Sequence, residues 1–486
     1  MKYIGLIYIT FILTLSLSAD WSIDQRVFNE DGSIDYFGHS VSISEDFAIV
    51  GSYSNEAYLY QKTDDQWIQE QIITPSDSTM FFGSSVFING DYMIIADDQG
   101  YSNSSGSAYI YHYDGENWLE MDIITALGSP ICDQYGNSAG ISQDGEYAVV
   151  GAPNDDENAE SAGAAYLYQR SESEWILLSK IIADDGELGE SFGWSTYITY
   201  NFLFISASHD DDNGDDSGSI YIYENNGTQW LFHSKLIASH DTSSDKFGYS
   251  ISVSDNLLIA GTYCYDQGEA FIFNYDGSAW NEEAILTASD GFYYDHFGCS
   301  VSISGDYAVI GACDRPDVAC SASAYFFNRQ NAEWVEQNKI INENWGGFGC
   351  AVSLSGTNAI VGSEYDYTTE DYIGAAYLIS YNATSSNPES ITDPICNMIN
   401  NFPNPFNPST TISFSLQNDA NIDITIFNLK GQIIKTLAHE NFSKGSHSLF
   451  WNGKDNSETP VSSGIYFYKL NINGNTSLTK KGLLLK

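Results

Sequence analysis

Carboxylates are the residues of this chain whose number and spacing could do chemistry. They gather in four clusters. These are Asp155-Asp156-Glu157 with Glu160, Asp184-Asp185 with Glu187 and Glu190, Asp210-Asp211-Asp212 with Asp215 and Asp216, and Glu364, Asp366, Glu370 and Asp371. Oxygens at this density could hold a divalent cation or attract cationic peptides and basic patches. The run from His209 to Gly214 comes nearest a calcium loop, with Asp211, Asn213 and Gly214 in register with an EF-type loop. It lacks the oxygen ligand at the first position, His209, and at the twelfth, Ile220. Asp211, Asn213 and Asp215 are the metal candidates, calcium is the ion they would take, and no other cofactor is implied. Carboxylate pairs also serve glycoside hydrolysis, but nothing marks one pair above the rest. The eight His are scattered, none stands beside a Ser or Cys in a nucleophile motif, and no Gly-rich phosphate loop is present. The chain reads as a non-enzyme. A solvated acidic surface without a ligand is the competing explanation of the same clusters.

The elements that hold these clusters follow from a repeat. An aromatic-Gly step recurs at Phe37-Gly38, Phe82-Gly83, Tyr135-Gly136, Phe192-Gly193, Phe247-Gly248, Phe297-Gly298 and Phe348-Gly349, spaced by 45, 53, 57, 55, 50 and 51 residues. Each copy reads as four short strands, the signature of a β-propeller. The first strand alternates, as in Val301 and Ile303 with Ser between, so one face is expected buried and the other polar. Tight turns follow at Asn89-Gly90, Asp144-Gly145 and Gly305-Asp306, then a nearly all-apolar second strand. The third strand carries alternating aromatics such as Tyr221 and Tyr223, and the fourth opens on Trp. At period two these rings are expected to pack between sheets rather than stack on a ligand.

The seventh copy lacks its Trp strand, and Trp21 to Val27 supplies the missing one. Trp21 precedes Phe37 by 16 residues, against gaps of 15, 17, 17, 17, 17 and 14 in the other copies. The N-terminal strand should therefore close the ring and remove its open edges. Loops joining strands two and three, and strand four to the next copy, then share one face. They carry more than half of the propeller's acids, with only Lys246 and Arg315 as bases in those loops. Asp155, Asp156, Asp184, Asp185, Asp210, Asp211, Asp212, Asp366 and Asp371 are the candidate ligand-binding residues there.

Charge is unevenly spread. Residues 20–396 hold 9 basic and 60 acidic residues, a net of 9 − 60 = −51, while the remainder from Asn397 carries 8 − 5 = +3. Such a field excludes nucleic acid as a partner. The apolar run from Ile4 to Leu17, followed by Ser18-Ala19, reads as a cleaved export signal over residues 1–19, leaving no transmembrane segment in the mature chain. Seven Cys form no dense framework; Cys313 and Cys320 lie in one loop and are the disulfide candidates.

The Phe-Gly steps, with Gly151-Ala152-Pro153, resemble FG-GAP repeats, the family of the integrin α propeller, over residues 21 to about 381. The likeness is closer to bacterial secreted members. The integrin-type calcium loop between strands one and two is replaced here by two-residue turns, so those ligands do not carry over. After a linker at 382–400, residues 401–486 read as a small β-sandwich of immunoglobulin-like type, with strands expected at Ile422–Phe427, Gln432–Leu437, His447–Trp451, Gly464–Leu470 and Ser477–Leu485. Its lead-in Pro403-Asn404-Pro405-Phe406-Asn407-Pro408, Lys430-Gly431 turn and terminal Lys480 to Lys486 resemble the C-terminal sorting domain of type IX secretion substrates. That resemblance implies passage through the type IX machinery to the medium or outer surface of a Gram-negative bacterium.

The expectation is an all-β chain: a seven-bladed β-propeller at 20–381, closed by its N-terminal strand, then the sandwich. It would serve as a secreted or cell-surface binding or adhesion module for an extracellular protein or carbohydrate. A structural acidic surface protein, or a hydrolase using the acidic loops, are the alternatives.

Overall fold

The computed structural model describes residues 20–484 except 30–35, 99–105, 127–132, 240–243, 314–321, 342–345, 367–372, 383–395 and 403–405, and shorter stretches of one to three residues. The expected signal segment at 1–19 lies outside them. The chain divides into two compact units after Thr384. Among the described residues all regular structure is β.

The first unit consists of seven four-stranded antiparallel sheets. Blades 1 to 6 occupy 40–73, 82–124, 138–181, 192–236, 250–286 and 297–341. Blade 7 takes three strands from 348–382 and its fourth from Asp20–Val27, which pairs antiparallel with Ala375–Asn382. The innermost strands touch in a closed circle, blade 7 meeting blade 1.

The recurring aromatic-Gly step has a packing cause. All seven aromatics are 0% exposed, and each lies edge-to-face on the first aromatic of its own third strand, at centroid distances of 4.9 to 5.3 Å. The Gly that follows has φ between +82° and +102° in every copy, where a side chain is strained. Its carbonyl also presses on the preceding blade. A Cβ on Gly311 would stand 2.0 Å from the Gly349 oxygen, and one on Gly51 would stand 2.1 Å from that of Gly83.

The polar face expected on the first strands is made of serines, of which Ser42, Ser252 and Ser302 are buried. It stitches neighbouring blades together. Ser42 Oγ accepts the Ile88 N–H at 3.0 Å, Ser252 Oγ that of Ile303 at 3.3 Å, Ser302 Oγ that of Leu354 at 3.0 Å, and Ser353 Oγ that of Ile43 at 3.1 Å. An edge N–H buried at the axis would otherwise go unpaired, at a cost of about 1–3 kcal/mol. Blades 2 and 4 carry aromatics in place of that serine. Phe87 and Tyr197 meet edge-to-face at 5.4 Å, over blade 3, whose residue in that column is Gly140.

The second unit packs two sheets, one of three strands and one of four. Its first strand, Cys396–Phe402, begins inside the stretch expected to be linker, because its backbone pairs with Thr410–Leu416. Of the proline-rich lead-in, Phe406 is 2% exposed and lies 5.3 Å from the Trp451 ring. Pro408 is exposed, and Pro403, Asn404, Pro405 and Asn407 lie outside the described residues.

Candidate recognition face

The acidic loops do not form one open carboxylate surface. Asp155, Asp210 and Asp366 are each 1% exposed. In each case the third-strand tyrosine and a cation from the fourth strand converge on the carboxylate. Tyr166 donates to Asp155 at 3.0 Å, and Lys180 pairs with it at 2.7 Å. Tyr221 donates to Asp210 at 3.1 Å, and Lys235 pairs at 2.7 Å. In blade 7 the donor is Tyr377 and the cation is Arg26 of the N-terminal strand, at 3.0 Å. In blade 6 the tyrosine and lysine meet instead an exposed carboxylate from the loop after blade 5, Asp290, with Tyr325 at 2.8 Å and Lys339 at 3.0 Å. The ammonium groups of Lys180, Lys235 and Lys339 stand 5.4, 4.7 and 4.8 Å from the tyrosine ring centroids. So the face has more bases than its loops suggest, because fourth-strand cations reach up into it.

The other candidates are spread rather than convergent. Asp156 and Asp211 are exposed and cap their own loops, accepting the Ser161 and Asp216 N–H at 2.8 and 2.7 Å. Asp184 is exposed, whereas Asp185 and Asp212 lie 3.1 and 2.5 Å from Lys235. Asn213 donates its amide to the Ala238 carbonyl at 3.3 Å, Asp215 is exposed, and Asp371 lies outside the described residues. Among the described residues no three His, Cys, Asp or Glu stand together as a metal cage. Burial lowers the Lys235 ammonium, but hydrogen bonds to Asp210, Asp212 and Tyr221 outweigh it and hold it well above the ordinary amine range. The positive charge of this cluster is thus a lysine. Cys313 carries a free thiol, and its candidate partner Cys320 lies outside the described residues.

Glu190 stands beside the Lys235 cluster, 6% exposed. Burial pushes its carboxyl up to about 7, and the carboxylates of Asp210 and Asp185 push the same way. A carboxyl raised in the folded state costs stability where it must ionise. That cost is absent below its ordinary 4.5 and complete above about 7. Glu190→Gln should therefore raise unfolding free energy by about 1–2 kcal/mol near pH 8 and change nothing near pH 4. Urea denaturation at both pH values measures it; a gain independent of pH would show that ionisation is not the cause.

A second set of side chains surrounds the mouth of the ring on this face. They come from the residues flanking each aromatic-Gly step and from those just past each second strand. At the seam of blades 4 and 5, Trp194 lies 5.2 Å from Tyr249, and Lys246 donates to His209 Nε2 at 2.9 Å. Burial and this neighbouring ammonium lower the His209 imidazole, keeping it neutral at pH 7. Tyr249 stacks on Tyr263 at 4.5 Å, and Tyr263 on His296 at 4.3 Å with rings 4° apart. On the far side, His39 bridges Glu364 at 2.7 Å and Tyr53 at 2.9 Å. Tyr36 edges against Tyr53 and Tyr365 at 5.8 and 5.6 Å. Trp194, Tyr249 and Tyr263 are half-buried.

The FG-GAP repeat matches this chain seven times, at residues 21–64, 67–111, 118–168, 175–223, 230–273, 280–327 and 334–379. The chain belongs to the FG-GAP repeat family. Each matched FG-GAP unit opens on the Trp of one fourth strand and ends in the third strand of the next blade, the offset that ring closure demands. An FlgD Ig-like domain matches residues 402–476. No curated protein matches the chain. Among solved structures, the RRP9 WD40 repeats are similar at 7% identity and a TM-score of 0.49, covering 74% of this chain and 97% of that one. U3-55K has the same identity and score, covering 73% and 97%.

The mouth residues of this FG-GAP propeller escaped the sequence reading, although a signal for them was present. Immediately after each aromatic-Gly step stand His39, Ser84, Asn137, Trp194, Tyr249, Cys299 and Cys350. The step before that column recurs in every copy, while the column holds six residue types in seven copies. A position free to vary inside a fixed scaffold is one the fold does not dictate.

Proposed function

We propose that this FG-GAP propeller is a non-catalytic binding or adhesion module, exported by the type IX machinery and displayed at or released from a Gram-negative outer surface. The aromatic arc from Trp194 through Tyr249 and Tyr263 supports this reading. It offers half-buried rings, rich in apolar area and low in conformational entropy, on and beside the ends of propeller strands. Its ligand would be an extracellular protein or carbohydrate. Of the candidate carboxylates, Asp155, Asp185, Asp210, Asp212 and Asp366 are engaged by lysine, arginine or tyrosine, which favours binding through the arc instead. The apolar run at Ile4–Leu17 and the proline-rich lead-in of the sandwich support export.

Binding of the secreted chain to an array of glycans and matrix proteins tests the module. Trp194→Ala with Tyr263→Ala should abolish the strongest signal, a loss of about 100-fold for two stacked rings. Full retention would remove the arc from recognition. For export, a chain ending at Cys396 should accumulate in the periplasm, and its normal surface delivery would refute the sorting role.

A further inference from the structure

Seven copies of one unit act as controls for each other, and one seam departs from the rest. The residue paired with each fourth-strand Trp is Tyr381 opposite Trp21, Lys62 opposite Trp67, Tyr113 opposite Trp118 and Arg170 opposite Trp175. It is Asn225 opposite Trp230, Tyr275 opposite Trp280 and Arg329 opposite Trp334. Only Asn225 is short. Tyr113, Tyr275 and Tyr381 cover their tryptophans at ring distances of 5.4, 5.3 and 5.3 Å, and the Lys62 ammonium stands 5.8 Å from the Trp67 ring. Trp21, Trp67, Trp118, Trp175 and Trp280 are 2 to 7% exposed, whereas Trp230 and Trp334 are half-buried, the latter with Arg329 opposite and its indole N–H donated to Glu283 at 3.1 Å.

The same seam also lacks a tie that others have. At three of the seven seams a serine nine residues past one Trp donates to a glutamate two residues past the next. Ser76 reaches Glu120, Ser239 reaches Glu282 and Ser289 reaches Glu336, each at 2.8 Å. Between blades 3 and 4 those positions hold Asp184 and Phe232, which cannot make this bond. Around them Leu177, Leu178, Leu231 and Phe232 are 40 to 57% exposed. A cavity of about 760 Å³ opens along this seam, lined by Leu178, Asp184, Asn225, Gln229, Trp230 and Phe232 among others. That is the size of a ligand site.

We propose that the seam between blades 3 and 4 is a binding groove for a neutral oligosaccharide, distinct from the mouth of the ring. The C–H-rich face of a sugar ring suits the rings of Trp230 and Phe232, and its hydroxyls need in-plane partners such as Asn225, Gln229 and Asp184. Interleaved rings, amides and a carboxylate fit a hydroxylated chain better than an apolar peptide anchor, which would take a closed apolar pit. Charge narrows the class further. Lys180, at the edge of the groove, is engaged by Asp155 and Glu157 at 2.7 and 2.6 Å, so no cation is left for a uronate or sulfate. The net charge of the propeller region repels those anions as well.

Asn225→Tyr tests this, because it installs the cover that sibling blades carry and should not unfold the protein. The full secreted chain is run in affinity electrophoresis against neutral soluble polysaccharides (laminarin, mannan, xylan and starch), with alginate and pectate as anionic comparators and a peptide array alongside. At least one neutral glycan should retard the wild type, and Asn225→Tyr should weaken that interaction at least about tenfold with Tm preserved. Lys62→Tyr in blade 1 and Trp194→Ala at the mouth should leave it intact. The groove is overturned if no neutral glycan binds below about 1 mM, or if only anionic glycans or peptides bind. It is equally overturned if Asn225→Tyr binds as wild type, and loss on Trp194→Ala alone would move the sugar to the mouth.

Discussion

Lys235→Met should lower the stability of the propeller by about 3–5 kcal/mol, measured as the urea unfolding free energy of the secreted chain. The reason is the burial of its partner. Asp210 is 1% exposed, and the Lys235 ammonium lies 2.7 Å from its carboxylate with a side chain only 16% exposed. The remaining donors to Asp210 are the hydroxyls of Ser219 and Tyr221 and the Asp212 N–H, at 2.9, 3.1 and 3.0 Å. They satisfy its oxygens but bring no charge. Breaking a buried pair by removing one partner is costly because the other ion stays behind, whereas removing both is nearly neutral. Asp210→Asn in the Lys235→Met background should therefore recover most of the loss. Asp212 pairs with the same lysine at 58% side-chain exposure, so Asp212→Asn should cost under about 1 kcal/mol. A small loss for Lys235→Met, or no rescue by the second change, would mean that this cluster is a solvated surface after all.

That cluster also shows where reading the sequence stopped. Seven blades and their closure were legible because periodicity is written in residue types: a 0% exposed aromatic and a left-handed Gly recur at one position in every copy. Burial of a polar group is not written that way. Asp155 and Asp210 sit in runs of acids that resemble solvent loops, and the cations that neutralise them lie 25 residues further on in the outermost strand. Only the folded blade brings Asp210 under Tyr221 and Lys235. The serines of the first strand posed a similar problem. Alternation shows that a face is polar, not whether it meets water or, as at Ser302 and Leu354, the N–H of the next blade. The mouth was hidden for the opposite reason. Trp194 stands in a column whose signal is variation at a fixed place in the repeat, which a search for recurring residue types passes over.

Removing residues 20–27 should do more than remove one strand. This segment holds three blades together. Trp21 pairs with Tyr381 in blade 7, and its ring, 2% exposed, stacks on Phe326 of blade 6 at 4.7 Å and edges against Tyr307 at 5.7 Å. Asn338 of blade 6 donates to the Trp21 carbonyl at 3.0 Å. Gln25 donates to the Trp67 carbonyl of blade 1 at 2.9 Å, and Arg26 neutralises the buried Asp366 at 3.0 Å. Loss of the segment thus exposes the edge of Ala375–Asn382, leaves Asp366 without its cation and opens the Trp21 cavity between blades 6 and 7. Trp21→Ala alone should cost about 3–5 kcal/mol. A chain starting at residue 28 should lose amide protection in blades 6, 7 and 1 before blades 3 and 4, and should self-associate through the bare edge. A synthetic peptide of residues 20–27, added in excess, should restore both protection and monomer by occupying that edge. A truncated chain that stays monomeric with an unchanged urea midpoint would show that the ring is held shut by something other than this strand.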